Sequence, residues 1–192
     1  MSAARTAGRP ARGTGPGTPV HDIPSQPWLT AGQLDVPALR ALYGHFPSGV
    51  VAVCAQGAHG PVGLAASSFT SVSMEPPLVS FCIQNTSTTW PELAELPRLG
   101  VSVLGAGHAA ACRQLASRQG DRFAGLDLVT TPEGAVLVEG SPAQLDCSVE
   151  QLVPAGDHGI VLLRVQAART VGAEPLIFHA STFRELAGGP ST

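Results

Sequence analysis

What this sequence lacks narrows it before any motif is found. There is no excess of basic charge: Lys+Arg 11 against Asp+Glu 14 give a formal net charge of −3. The field that dominates affinity for nucleic-acid phosphates is therefore missing, and DNA or RNA is not expected as a partner. Long apolar runs are also missing. The longest, such as VVAVCA at 50–55 and GIVLLRV at 159–165, fall well below the roughly 20 residues a helix needs to cross a bilayer, so no membrane span is expected. The four cysteines, Cys54, Cys82, Cys112 and Cys147, show no CxxC or CxxH spacing, which argues against both a disulfide framework and a zinc site. They read as reduced thiols of a cytoplasmic protein without a metal. GxGxxG and GxxxxGK[ST] are absent, excluding a dinucleotide fingerprint and a P-loop. No serine lies in GxSxG, and neither HExxH nor a pair of carboxylates appears, so no catalytic triad or zinc-peptidase site assembles.

What is present suits one domain. With 192 residues and 44% hydrophobic side chains, the chain can bury a substantial core. Residues 1–27 are rich in Gly, Pro, Thr and Ala without hydrophobic periodicity, as are 188–192 on a smaller scale, and both are expected as disordered tails around a domain over 28–187. A helix is expected after Asp35, with Pro37 in its first turn and Leu39, Leu42, Tyr43 and Phe46 on one face before Pro47 stops it. GVVAVCAQ and PVGLAAS, joined by Gly57-Ala58-His59-Gly60, read as a hairpin. PLVSFCIQ, LGVSVLG, GAVLVEG, AQLDCSVEQLV, HGIVLLRVQAARTV and PLIFH follow as strands. The alternation in residues 143–149 is that of a half-buried antiparallel strand. Helical patterns lie at 87–96 and 109–118. Many strands with few helices, and no strand–helix alternation, point to a β-barrel.

Four stretches could carry chemistry. Between two core-like strands, GLAASSFTSVS places small and hydroxylated residues where a packing strand would use branched or aromatic ones. A planar ligand could lie there against main-chain groups, or the stretch could be an edge strand or bulge with exposed serines. Asn85-Thr86-Ser87-Thr88-Thr89 precedes a helix, which fits an N-cap cluster, a phosphate site, or both. Gly156-Asp157-His158-Gly159 puts a histidine in a turn, either solvated or projecting into a ligand's mouth. Asp121-Arg122-Phe123 offers a cation and an aromatic, or a surface anchor.

The order of these pieces, FPSGVVAV, PVGLAASSFTSVSMEPPLVSFC, NTSTTW, GVSVL, DRFAG, AQLDCSVE, GDHGIVLLRV and PLIFH, closely resembles the flavin reductase family of the FMN-binding split barrel. The resemblance runs from about residue 34 to 186. It implies a mainly β fold, a six-stranded antiparallel split barrel of Greek-key character with a few flanking helices, paired as a homodimer. It also implies an NAD(P)H-dependent flavin reductase, with FMN or FAD and NADH or NADPH, that supplies reduced flavin to a separate oxygenase component of a two-component monooxygenase. Hydride would pass from the nicotinamide C4 to flavin N5, without a side-chain nucleophile. On the same basis Pro61, Val62, Gly63, Leu64, Ala65, Ser67 and Ser68 would line the flavin, with Cys82, Ile83 and Gln84 on the next strand. Ser87, Thr88 and Thr89 would meet its phosphate. His158 would be the catalytic residue beside the two rings, and Phe178, His179, Ala180 and Ser181 would belong to the NAD(P)H segment. The competing expectation is a non-catalytic flavin-binding sensor or carrier; an oxidase of the pyridoxamine-phosphate type fits the order of motifs poorly.

Overall fold

The computed structural model describes residues 28–186; the tails expected at 1–27 and 188–192 lie outside the described residues. The chain divides into two compact units at Asp35. In the first, residues 28–35 contain one 3-10 turn, Ala31–Gln33, over which the Thr30 N–H donates to Gln33 Oε1 at 3.0 Å.

The second unit begins with α1 (Val36–Gly44), then β1 (Ser48–Gly49), β2 (Val51–Gly57), β3 (Gly60–Ala66), β4 (Thr70–Met74) and β5 (Pro77–Gln84). It continues with α2 (Trp90–Glu95), β6 (Leu99–Val103), α3 (Ala109–Leu115), β7 (Leu128–Thr130), β8 (Val136–Val138), β9 (Ala143–Ala155), β10 (His158–Thr170), β11 (Ile177–His179) and β12 (Thr182–Arg184). α3 starts where the pattern places it, α2 starts at Trp90 rather than at residue 87, and the β2–β3 turn is the expected one.

The main sheet is antiparallel, in the order β3-β2-β6-β9-β10-β5-β4. Its outermost strands, β3 and β4, are separated by residues 67–69 alone. A chain spans at most about 3.3–3.6 Å per residue, so the two edges must come round to meet. The sheet is therefore a barrel, and it is split because no ladder joins β3 to β4. Seven strands belong to it, against the six implied by the resemblance; the extra one is β4, a short strand after the small-residue stretch. A three-stranded sheet, β1-β11-β12, and the β7–β8 hairpin complete the unit.

β2 is buried on both faces. Val51, Val53 and Ala55 point into the barrel with Leu64, Phe81, Trp90, Leu99 and Leu163. Ala52 and Cys54 point the other way, to a second core with Leu104, Leu115, Val136 and Leu176. A strand reads as a continuous apolar run when both faces are covered, and VVAVCA is such a run. β8 approaches the outside of the barrel so closely that a Cβ at Gly100 would fall onto the Val136 carbonyl.

Two expectations change. The polar face of residues 143–149 is withdrawn from water over most of its length: Gln144 and Asp146 are buried and Ser148 is half-buried. β8 covers that face, Gln144 Nε2 donates to the Val138 carbonyl at 2.6 Å, and Asp146 takes a bidentate bond from Arg98 at 2.8 and 3.1 Å. Burying these groups is tolerable because each is paired. The apolar face of α1, by contrast, stays open: Leu42 and Tyr43, and Phe46 just beyond, are exposed, and the helix has no buried residue.

Candidate functional site

The site follows from how the barrel is split. β3 ladders only with β2, and the β4–β5 ladder stops at Thr70 opposite Ser80. The free edge of β3 and the far half of β5 thus face each other without a shared ladder, each offering alternate main-chain donors and acceptors. Ser68 fastens the base of the gap: its Oγ accepts from the Cys82 N–H at 2.8 Å, and the hydroxyl lies 3.4 Å from the Cys82 carbonyl. Phe69 packs into the barrel core. Above this fastening lies a cleft of about 720 Å³, within the usual range for small-molecule sites.

Its walls are residues 64–68 of β3 and the turn after it, and Cys82, Ile83 and Gln84 of β5. Residues 86–89 form one end. There Ser87 Oγ accepts from the Trp90 N–H at 3.1 Å, which satisfies the first N–H of α2, whose N-cap residue is Thr89, while Asn85 ties the loop to the β9–β10 turn through Asp157 O at 3.0 Å and Gly156 O at 3.1 Å. Those bonds bring His158 to the cleft. Its Nδ1 lies 2.8 Å from Asp157 Oδ1, and that hydrogen bond holds the Asp157 carboxyl below its ordinary value. A carboxylate only accepts, so Nδ1 carries the proton and Nε2 is the ring nitrogen left for other partners.

Against these residues lies the loop after α3, which contributes Arg118 and Arg122. Arg122 donates from Nε to Ser117 O at 2.7 Å, and from Nη1 to Gly63 O at 3.1 Å and Thr89 Oγ1 at 2.7 Å. One guanidinium thereby ties the loop, β3 and the start of α2 together. The next residue, Phe123, packs on the second core, and Asp121 Oδ1 accepts from its N–H at 2.8 Å. The charged side chains of the lining are these two arginines, beside His158. In a chain of net charge −3 this is a local reversal of sign, and its chemistry is that of an anion site.

A second cleft, of about 470 Å³, shares residues 65–67 and Ala116 with the first. Val50, Cys112, Arg113, Ala116, Phe178 and residues 181–183 line it. Phe178 and Phe183 pack with centroids 5.5 Å apart at 54°, and the Arg113 guanidinium sits 5.4 Å above the Phe183 ring. The tight β11–β12 turn puts Ala180 and Ser181 at φ 49° and 59°, where a Cβ is disfavoured. The Ala180 N–H donates to the Gly44 carbonyl at 2.9 Å.

The expected residues divide as follows. Leu64, Ala65, Ser67, Ser68, Cys82, Ile83, Gln84, Ser87, Thr88, Thr89 and His158 line the first cleft. Pro61, Val62 and Gly63 do not. Pro61 is exposed opposite Gln56, Val62 packs on the barrel core, and a Cβ at Gly63 would stand 2.5 Å from Cys54 Sγ, leaving only its carbonyl to reach Arg122. The reason is geometric, since β3 runs away from the split towards its hairpin. Phe178 and Ser181 line the second cleft, whereas His179 and Ala180 line neither. Ala66, Thr86 and Arg122, which the sequence offered only as members of candidate stretches, also line the first cleft, and Leu115, Ala116 and Arg118 line it without having been singled out. For Arg122 the only signal was its place in DRF, because its contact with Gly63 spans 59 positions. Among the cysteines only Cys82 is exposed; burial pushes the Cys54 and Cys147 thiols up to about 12 and raises that of Cys112.

Comparison with known proteins places this geometry. The family model described as "Flavin reductase like domain" matches residues 43–187. The chain is 34% identical over 156 residues, 81% of its length and 80% of the relative's, to the reductase subunit HsaB of a flavin-dependent monooxygenase from Rhodococcus jostii (strain RHA1). It is 39% identical over 155 residues, 78% of its length and 85% of the relative's, to an NADH-dependent FAD reductase from Streptomyces globisporus. Among solved structures, the Streptomyces globisporus C-1027 NADH:FAD oxidoreductase SgcE6, in complex with NAD and FAD fragments, superposes with a TM-score of 0.77 at 38% identity, covering 82% of this chain and 96% of that one.

Proposed function

The chain belongs to the flavin reductase like family, and from that premise we propose that it is an NAD(P)H-dependent flavin reductase that supplies reduced flavin to a partner oxygenase. The observation that carries the proposal is the first cleft: two unladdered strand edges facing each other across a gap whose charged side chains are all cationic.

The residues present fit a flavin. Ala65, Ala66 and Ser67 are small enough for a flat ring to lie against the main chain. The free edges of β3 and β5 supply the donors and acceptors that the polar rim of such a ring needs, and Ser68 holds those edges at a fixed separation. The hydroxyls of Ser87, Thr88 and Thr89, with the tethered Arg122 guanidinium, suit a phosphate. Pro61 and Val62 stand away from this cleft and are dropped from the binding set. When bound, a flavin supplies the redox chemistry by accepting hydride from a reduced nicotinamide.

The chain's own part is to hold and orient. We assign His158 the role of positioning the nicotinamide or offsetting the charge that develops beside it, through the ring nitrogen not committed to Asp157. Phe178 and Ser181, in the aromatic cleft that shares residues 65–67, are assigned to the nicotinamide nucleotide. The exposed Leu42, Tyr43 and Phe46 favour a homodimer in which that face is covered. Mixing the full chain with NADH or NADPH and with FMN or FAD, and following loss of absorbance at the nicotinamide band, tests the reading. Oxidation is expected in at least one pairing. None in any pairing would leave a flavin-binding module without turnover.

A further inference from the structure

Arg118 and Arg122 stand four positions apart on the loop that closes the first cleft, yet the structure treats them differently. Arg122 is half-buried and pinned by three protein bonds, to Ser117, Gly63 and Thr89. Arg118 is exposed and lines the same cleft, and its guanidinium has no hydrogen-bond or ion-pair partner among the described residues. Arg122 is bonded to the carbonyl of Ser117, the residue before Arg118. The carboxylate nearest in sequence, Asp121, is committed to the Phe123 N–H. No acidic side chain of the lining offsets either charge. The chain has no lysine, so both cations are planar forks suited to phosphate oxygens.

Resting on the flavin reductase reading, we propose that Arg118 is the residue that makes this cleft select FAD over FMN, by binding the second phosphate of the dinucleotide. The unequal exposure of the two arginines supports this. Arg122 is half-buried and bonded to Thr89 among the hydroxyls of 86–89, whereas Arg118 is exposed on the lining of the same cleft. A flavin with its ring against residues 65–67 would have its first phosphate among those hydroxyls and Arg122. An FMN ends there. An FAD carries a second negative charge, for which the guanidinium of Arg118 is the available partner on the lining.

Quenching of flavin fluorescence on titration with the full chain, at low salt, measures the two affinities without turnover. The wild-type chain is expected to bind FAD about tenfold more tightly than FMN, and Arg118→Gln to bring the ratio to within about twofold, the size expected for one charge-assisted phosphate contact. Arg118→Lys, which keeps the charge but not the fork, should fall between. A ratio equal in wild type and Arg118→Gln overturns the proposal. So does a proportional weakening of both flavins, which would put Arg118 on the phosphate they share. A wild-type chain that binds neither flavin fails the functional reading itself, whereas one that binds and reduces flavin with an unmoved ratio fails this assignment alone.

Discussion

Residues 65–67 line two clefts built by different physics. On one side the lining is hydroxyl, main chain and guanidinium, with the loop, β3 and α2 locked by Arg122. On the other it is two phenyl rings and an arginine whose charge is spent over one of them. The first arrangement holds an anion in one place; the second is a platform on which a ring can stack without a fixed polar anchor. Ala65, Ala66, Ser67 and Ala116 line both clefts, so the two meet at a shared rim, where a hydride donor in one would touch an acceptor in the other, as transfer requires. That division is what a hydride transfer between two nucleotides requires: one partner held firmly and the other able to arrive and leave.

The most damaging test of this comparison is the shared wall. Ser67→Trp projects bulk where both linings meet and should lower flavin reduction by at least about 100-fold, the equivalent of about 2.7 kcal/mol, with the circular dichroism spectrum unchanged. Loss confined to one nucleotide would show that the clefts are independent. Arg122→Met comes next. It leaves Gly63 O and Thr89 unpaired, so flavin affinity should fall about 30-fold and stability by about 1.5–3 kcal/mol, measured by fluorescence titration and denaturant unfolding, while KM for the nicotinamide stays within about twofold. His158→Ala should slow reduction or raise the nicotinamide KM by about tenfold, within the span usual for a positioned side chain; unchanged values for both remove His158 from the site. Phe183→Ala strips the aromatic platform and should raise that KM about fivefold, from about 1 kcal/mol of ring and cation contacts, with flavin affinity untouched.

The mildest test uses thiols. Each cleft has one cysteine, exposed Cys82 in the polar cleft and buried Cys112 in the aromatic one. A thiol reagent should modify Cys82 first, flavin should protect it, and Cys112 should react slowly whether or not flavin is present. Cys54 and Cys147 should wait for unfolding. Their thiols, pushed from 9.0 to about 12 by burial, keep protons in the folded chain that an unfolded chain releases. Stability from this source is therefore intact below pH 9 and declines as pH rises towards 12, visible as a falling Tm on the alkaline side only.

How much of this was legible follows from the range of the interactions. Local chemistry gave the β2–β3 hairpin with its Ala58-His59 turn, the existence of α2, the start of α3, and the β10 strand that begins at His158. The ordered motifs gave the barrel and most of the first cleft. What escaped depends on contacts distant in sequence. The half-buried pattern of β9 could not reveal that β8 would cover its polar face and pair Gln144. The hydrophobic spacing of α1 could not tell a core face from an exposed one, because Leu39, Leu42, Tyr43 and Phe46 read alike in either setting. Arg122 is a cation in a loop until Gly63, 59 positions away, is beside it. The resemblance implies Pro61 and Val62 at the flavin, whereas strand direction carries them away from the cleft, whose lining on β3 begins at Leu64.

Residues 67–69 have one more consequence. Every other seam of the barrel is set by ladder register, which changes only in whole steps. The split is set by how far three residues can stretch, with Ser68 as clasp and Phe69 as anchor. The width of the slot is therefore adjustable by the length of this bridge, independently of the core on either side. An insertion there should act on the aperture, and so on the girth of heterocycle admitted, while the fold around it keeps its register.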